Sequence, residues 1–147
     1  MDRERNINYT LISTIEDLQK CFFVRAIVFC EEQNCPYSEE IDGFDFSSVH
    51  FLATIDGEPI ATARIRLFAD YVKIERLAVR KAYRDKCIGK NMVTFVLKHI
   101  NEMGYKKIIL HSQAYLVNFY ENFGFVKQGE KFLEVNIEHY YMEKEIK

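Results

Sequence analysis

Residues 74–97 read IERLAVRKAYRDKCIGKNMVTFVL and change character in the middle. A strand-like apolar run gives way to a basic loop with a single glycine, and apolar residues at helical spacing follow. A loop between a strand and a helix N-terminus exposes backbone N–H groups, which favour an anion such as phosphate. Gly89 would let the anion approach the backbone closely, and Arg84, Lys86 and Lys90 would add positive charge. A solvated basic loop is the alternative that this segment alone leaves open.

The flanking patterns place this segment in one mixed α/β domain that spans residues 1–147. Asp56-Gly57 predicts a hairpin turn, so that three neighbouring antiparallel strands precede the basic loop. The strand after the second long helix should pair in parallel, since a helix separates it from its neighbour. The predicted strands are 7–11, 50–55, 59–67, 71–79 and 107–111, the helices are 15 to about 30, 88–103 and 114–122, and a final hairpin combines 125–126 with 134–145.

Composition and charge exclude several classes of protein. A net charge of −2 over 147 residues gives no basic excess for nucleic-acid binding. The most apolar early run, CFFVRAIVFC at residues 21–30, is interrupted by Arg25 and too short to cross a membrane. We therefore expect a cytoplasmic protein without a membrane partner. The four cysteines form no C-x-x-C pair, so we expect free thiols and no metal site.

Three segments resemble the GNAT acyltransferases. In that family the acyl-CoA-binding motif is a strand followed by [QR]-x-x-G-x-[GA]; here Arg84 and Gly89 fill the outer positions, and Cys87 replaces the first glycine. AYLVNFYENFGF at residues 114–125 is similar to the family's Asn and Tyr ahead of N-[FY]-G-F. RAIVFCEEQNCPY followed by EEIDGFD resembles the ElaA-like branch of the superfamily.

The resemblance implies a GNAT fold, a central mixed and mostly antiparallel sheet flanked by helices. It also implies transfer of an acetyl group from acetyl-CoA to the amine of a small molecule or peptide. Dimers are common in the family, which leaves a homodimer open. The implied cofactor-binding residues are Leu77, Ala78, Val79, Arg84, Asp85, Lys86, Cys87, Ile88, Gly89, Lys90, Asn118 and Tyr120.

Three residues are candidates for proton transfer. By the resemblance Tyr120 is the acid that protonates the CoA thiolate, because a phenol is well matched to that leaving group; packing of a short aromatic helix is its alternative role. Glu75, which strand alternation puts on the same face as Leu77 and Val79, is a candidate base, or else an ion-pair partner of Arg64 or Arg66. His111 is the other candidate base, or a structural histidine.

The acceptor and the class of function stay open at this point. Six carboxylates in residues 31–48 favour a cationic amine if they lie beside the acceptor, and otherwise form a solvated loop. One alternative function is a non-catalytic acyl-CoA-binding sensor or interaction module on the same fold. A second is an acyl-homoserine-lactone synthase, whose R-x-x-x-F and E-x-D-x-x-D segments are echoed here, although this chain lacks tryptophan.

Overall fold

A computed structural model describes residues 6–147 as a seven-stranded sheet with helices on both faces. The strands are β1 (Ile7–Leu11), β2 (Val49–Ile55), β3 (Glu58–Leu67), β4 (Val72–Val79), β5 (Lys107–Gln113), β6 (Val126–Glu134) and β7 (Ile137–Glu145). The helices are α1 (Ile15–Arg25), α2 (Tyr37–Glu40), α3 (Ile88–Glu102) and α4 (Val117–Glu121). The spatial order of the strands is β1-β2-β3-β4-β5-β7-β6, and only the β4–β5 pair is parallel. The predicted mixed, mostly antiparallel sheet is confirmed.

Two tight turns with left-handed backbone set the hairpins. Asp56 and Gly57 have φ values of 49° and 83°, as a two-residue turn between β2 and β3 requires. Val135 and Asn136, with φ of 51° and 59°, join β6 to β7. The prediction for the second hairpin was wrong in its bounds, because Val135 is a β-branched residue that gives no turn signal. Glu134 therefore ends β6 instead of beginning the last strand.

The helices cover opposite faces of the sheet. Thr14 caps α1 by accepting a hydrogen bond from the Asp17 N–H at 3.2 Å, and the helix continues as a π-helical segment, Ala26–Glu32. Val24 and Val28 pack on Ala78 of β4. Helix α3 buries Ile88, Met92, Val96 and Ile100 in the main core on the other face.

The cysteines form no disulfide within the part of the chain that the structure describes. Cys21, Cys30, Cys35 and Cys87 are free thiols. Burial raises the pKa of the Cys21 thiol to about 11, which makes it an inert part of the core. No helix within residues 6–147 is long and apolar enough to cross a membrane.

Candidate active site

The sheet opens between β4 and β5. These strands pair only from Val72↔Ile108 to Ile74↔Leu110, although β4 continues to Val79 and β5 to Gln113. Past that point the facing edges of the two strands have no partner in each other. The opening is a place where an extended ligand can lie beside β4 as an added strand would.

A β-bulge in β4 lies at the start of this opening. Arg76 has a φ of 55°. Between the pairs Arg64↔Glu75 and Thr62↔Ala78, β4 advances by three residues while β3 advances by two, so β4 carries one extra residue. The extra residue reverses the strand's alternation, so Leu77 and Val79 pack on the main core whereas Glu75 pairs with Arg64 on the α1 face. The expectation that Glu75 shares a face with Leu77 and Val79 was wrong for this reason.

A cavity of about 380 Å³ lies between the end of β4 and the N-terminus of α3. Its walls include nine of the predicted cofactor-binding residues, and the additional lining comes from the 28–33 segment and from 113–119. The other three predicted residues, Lys86, Asn118 and Tyr120, do not line it; Asn118 is exposed on α4, and Tyr120 lines a neighbouring cavity. The nine are Leu77, Ala78, Val79, Arg84, Asp85, Cys87, Ile88, Gly89 and Lys90.

The loop at the start of α3 adopts the conformation that phosphate-binding glycines usually supply. Asp85 and Cys87 have φ of 65° and 61°, and Cys87 is the residue that precedes the helix. Cys87 thus occupies the left-handed position for which a glycine is the usual choice. Gly89 is not strained, since a Cβ there would meet Val79 Cγ2 at 3.7 Å and Phe119 Cζ at 3.8 Å, both ordinary contacts. The packing of the protein therefore does not require a glycine at this position, and the missing side chain leaves space for a ligand in the cavity.

Arg84 is held by partners within the protein. Its two terminal nitrogens lie 2.6 and 2.7 Å from the carboxylate oxygens of Glu32, and its Nε donates to the Val79 carbonyl at 2.9 Å. The positive charge of Arg84, predicted to bind phosphate, is therefore already paired with the last residue of the π-helical segment Ala26–Glu32. Lys90 lines the same cavity without an ion pair among the described residues.

The three predicted proton-transfer residues meet in a smaller cavity of about 110 Å³ within the β4–β5 opening. Tyr120, Glu75 and His111 all line it, and Leu77, Gln113 and Leu116 line both this cavity and the larger one. The Tyr120 ring is 6% exposed and packs edge-on against Phe119 and Phe125. Its hydroxyl has no hydrogen-bond partner among residues 6–147, and burial raises the pKa of Tyr120, so the phenol keeps its proton at neutral pH.

Glu75 and His111 have different surroundings within that cavity. The Glu75 carboxylate lies 3.1 Å from Arg64 Nη2, 3.7 Å from Arg66 Nε and 3.4 Å from Lys73 Nζ. His111 Nδ1 lies 3.4 Å from Glu134 Oε1. Because an ionised carboxylate only accepts, Nδ1 carries the proton of the neutral ring and Nε2 carries its lone pair.

Two more residues that line the site, Glu134 and His139, were not identified from the sequence. Both line the small cavity, and the β6–β7 hairpin places them on facing strands. They also line a third cavity, of about 280 Å³, whose other wall is the segment from Phe29 to Asp42. We call this third space the loop-lined cavity. The only signal in the sequence is the hairpin turn itself, which the Val135-Asn136 pair conceals.

Buried arginines hold the acidic loop against the sheet. Arg25, 1% exposed, donates to Glu40 at 2.8 Å and to Asp45 at 2.7 Å. Arg64, fully buried, donates to Asp45 at 2.8 Å and to Asp42 at 2.7 Å. The loop is thus neither simply solvated nor a cluster of free carboxylates, because these three acids are already paired.

The same loop reaches the bulge of β4. Arg76 Nε lies 3.0 Å from Glu40 Oε1, and its Nη2 lies 3.2 Å from Asp42 Oδ2. The ion pairs tie the left-handed residue of the bulge to the loop. Within residues 6–147 no group of three or more His, Cys, Asp or Glu side chains is arranged to hold a metal ion.

Comparisons with known proteins agree with this geometry. A family model described as an acetyltransferase (GNAT) domain matches residues 28–146. Protein ElaA of Escherichia coli is 33% identical over 139 residues, which cover 90% of each chain. The crystal structure of ElaA superposes with a TM-score of 0.87 over 95% of this chain and 100% of that one, at 31% identity.

Two further solved structures share the architecture. An acyl-CoA N-acyltransferase from Pseudomonas aeruginosa has a TM-score of 0.86 and 28% identity over 95% of this chain and 99% of its own. A PaiA N-acetyltransferase from Thermoplasma acidophilum, solved in complex with coenzyme A, has a TM-score of 0.74 over 96% of this chain and 99% of its own. At 18% identity, the second shows likeness of fold alone.

Proposed function

The chain belongs to the GNAT acetyltransferase family, ElaA-like branch, and we propose that it transfers an acetyl group from acetyl-CoA to a primary amine. The observation that carries the proposal is the β4–β5 opening. It connects a cavity at the N-terminus of α3 with the free hydroxyl of Tyr120. An acyltransferase needs both, since the acyl carrier must be held and its leaving group protonated.

The walls of the larger cavity fit an acyl-CoA. The first turn of α3 has backbone N–H groups without helical partners, which suit a pyrophosphate, and Lys90 adds a positive charge. Leu77, Ala78 and Val79 offer the unpaired edge of β4 to the amides of a pantetheine arm. When bound there, acetyl-CoA supplies the acetyl group as a thioester.

The chain's own groups would then serve the transfer. A backbone N–H of β4 near the bulge polarises the carbonyl, as preorganised donors do in acyl transfer. Tyr120, protonated and without a partner in the described protein, donates its proton to the departing sulfur. The rigid packing of its ring on Phe119 and Phe125 fixes where that proton is delivered.

Of the two predicted bases we favour His111 over Glu75. Three cations surround the Glu75 carboxylate, and the pairing with buried Arg64 gives it a structural task. His111, oriented through Nδ1 by Glu134, has the lone pair of Nε2 to accept a proton from the amine. His111→Gln should therefore remove a limb of the pH–rate profile that Glu75→Gln leaves in place.

Acetyl-CoA binding and thiol release test the proposal. We expect calorimetry to show acetyl-CoA binding to the wild type and equally to Tyr120→Phe. Thiol release with a panel of primary amines should fall about a hundredfold or more in Tyr120→Phe. Tyr140→Phe on β7, outside all three cavities, is the matched control and should keep full activity.

Each failure has a distinct meaning. Binding without amine-dependent thiol release would favour the acyl-CoA-binding module that the sequence left open. Absence of binding in the wild type would overturn the assignment of both cavities. Full activity in Tyr120→Phe would remove Tyr120 as the acid while leaving acetyl transfer intact.

A further inference from the structure

Glu134 and His139 face each other where the small cavity meets the loop-lined cavity. Both residues line both spaces, so they stand between the β4–β5 opening and the segment from Phe29 to Asp42. The side chain of His139 is only 9% exposed, whereas that of Glu134 is 45% exposed. A molecule that enters the opening from the loop side passes this pair.

Among the described residues, no hydrogen-bond donor lies between His139 Nε2 and Glu134 Oε2. His139 Nδ1 lies 2.7 Å from the Ile137 carbonyl, which can only accept, so Nδ1 carries a proton. The lone pair of the neutral ring is then on Nε2, which faces Glu134 Oε2 at 3.7 Å. That distance is too long for a direct hydrogen bond, and no other described residue bonds to Nε2. With the imidazole neutral, two acceptors face each other across 3.7 Å, between a buried histidine and a half-exposed carboxylate, without a hydrogen between them.

The charge of Glu134 points to the kind of donor that belongs there. The hydrogen bond from His111 and the charge of the nearby Lys73 lower the pKa of Glu134, against the opposing effect of burial, so the carboxylate is ionised at neutral pH. An ionised acceptor beside a neutral one suits a cation with several N–H groups. A primary ammonium ion has three such donors.

We propose that Glu134 and His139 recognise the acceptor of this enzyme as a primary ammonium ion. One N–H of the ammonium donates to Glu134 Oε2 and another to His139 Nε2, with the rest of the acceptor in the loop-lined cavity. This recognition rests on the proposed acetyl transfer, and it places the amine beside the residues that line the β4–β5 opening, Tyr120 among them.

Within the acidic loop, one carboxylate of the loop-lined cavity is left to add to this charge selection. Glu40 and Asp42 line the cavity, but both are paired with Arg76 and with buried arginines. Glu39 also lines it, and it is exposed and has no ion pair among the described residues. Recognition at Glu134 and His139 needs one positive charge on the acceptor, and a second charge, which would meet Glu39, is not required.

Histidine-ring NMR tests the recognition without turnover. n-Butylammonium chloride should shift the ring signals of His139 and His111 in wild-type protein saturated with coenzyme A, and n-butanol should not. Glu134→Gln should abolish the shift, whereas Glu130→Gln, an exposed position on the same strand, should keep it. Equal shifts with butanol, or a full response in Glu134→Gln, would overturn the proposal.

Kinetics supply the second measurement. Glu134→Gln should raise the KM for n-butylamine roughly tenfold or more, because a charge-assisted hydrogen bond is lost, and leave the KM for acetyl-CoA unchanged. His139→Asn, which keeps a donor near Ile137 and removes the Nε2 atom, should raise the same KM severalfold. Hydroxylamine, uncharged at neutral pH, should show no such increase in either variant.

The outcomes separate this inference from the proposed function. Ammonium binding that depends on Glu134, without thiol release, would support the recognition and contradict acetyl transfer. Thiol release with an unchanged amine KM in Glu134→Gln would support acetyl transfer and contradict the recognition.

Discussion

The larger cavity at the N-terminus of α3, the proposed cofactor cavity, takes most of its lining from one stretch of chain, residues 77–90, whereas the loop-lined cavity is assembled from distant segments between Phe29 and His139. The first is shaped by backbone: a strand edge, two left-handed residues and a helix N-terminus. The second is shaped by side chains, above all the ion pairs that hold the acidic loop on β3 and β4. We therefore expect substitutions in the two regions to differ in kind: in the first they should change ligand affinity, and in the second they should change the stability of the fold.

Removing a buried arginine should produce the largest effect. Arg64→Met would leave Asp42, Asp45 and Glu75 without their fully buried cation. We expect the free energy of unfolding to fall by about 3–5 kcal/mol, measured by urea denaturation with an unchanged m-value.

Arg66→Met is the matched control on the same strand. Arg66 is 22% exposed and lies 3.7 Å from Glu75, so its loss should cost about 1 kcal/mol or less. Equal losses in the two variants would contradict the view that the buried ion pairs hold this half of the molecule.

Acid should unfold the protein through the same ion pairs. Burial acts to raise the pKa of Asp42 and of Asp45, but hydrogen bonds from Arg64 to Asp42, and from Arg25 and Arg64 to Asp45, outweigh it and lower both pKa values below their ordinary value. A lowered pKa in the folded state means that the stabilisation is complete above the unfolded pKa of about 3.9 and is lost as the pH falls below it.

Each of the two carboxylates contributes up to about 1.4 kcal/mol per pH unit to that loss. Urea denaturation across the acidic range should show the slope in the wild type and a shallower one in Arg64→Met. An identical slope in both would show that other carboxylates govern acid unfolding.

The substitution Gly89→Ala tests the proposed cofactor cavity. The protein has room for a Cβ there, and alanine should stabilise α3 by roughly 0.5–1 kcal/mol. If the pyrophosphate lies against this turn, the same substitution should weaken acetyl-CoA binding about tenfold, or about 1.4 kcal/mol, by calorimetry.

Asn101→Ala, exposed near the far end of α3, controls for the change in helix propensity. It should leave acetyl-CoA affinity at the wild-type value. Unchanged affinity in Gly89→Ala would place the phosphate groups elsewhere.

The smallest effect is expected at Cys87. The left-handed conformation is unfavourable for any residue with a Cβ, so Cys87→Gly should stabilise the fold by no more than about 1 kcal/mol. Thermal unfolding beside Cys87→Ala distinguishes backbone strain from loss of the thiol. A gain in the alanine variant equal to that in the glycine variant would rule out strain as the cause.

How much the sequence could predict follows the same division between the two regions. The motif around Gly89 and the helical spacing that follows it are local, and they identified nine of the residues that line the proposed cofactor cavity. Glu75, His111 and Tyr120, the candidates for proton transfer, all line the small cavity, and their roles stay predictions. Lys86, Asn118 and Tyr120 were expected at the cavity and do not line it, because a motif specifies positions along the chain and not side-chain directions.

Features that depend on long-range pairing could not be predicted. The bulge at Arg76 is visible only in the register of β4 against β3, and it reversed the face assigned to Glu75. Glu134 and His139 meet only because Val135 and Asn136 adopt left-handed backbone. The arginines that neutralise the acidic loop come from α1, β3 and β4, and no spacing rule connects them.

The ion pair between Glu32 and Arg84 affects how acetyl-CoA affinity should depend on salt. Because the guanidinium already holds a carboxylate at 2.6 and 2.7 Å, a phosphate that reaches it replaces one anion by another. Added salt screens the old pair and the new one alike, so this exchange should depend little on ionic strength. The salt dependence of acetyl-CoA affinity would then report mainly on Lys90 and the helix N-terminus, while the exposed Glu32 is released to solvent.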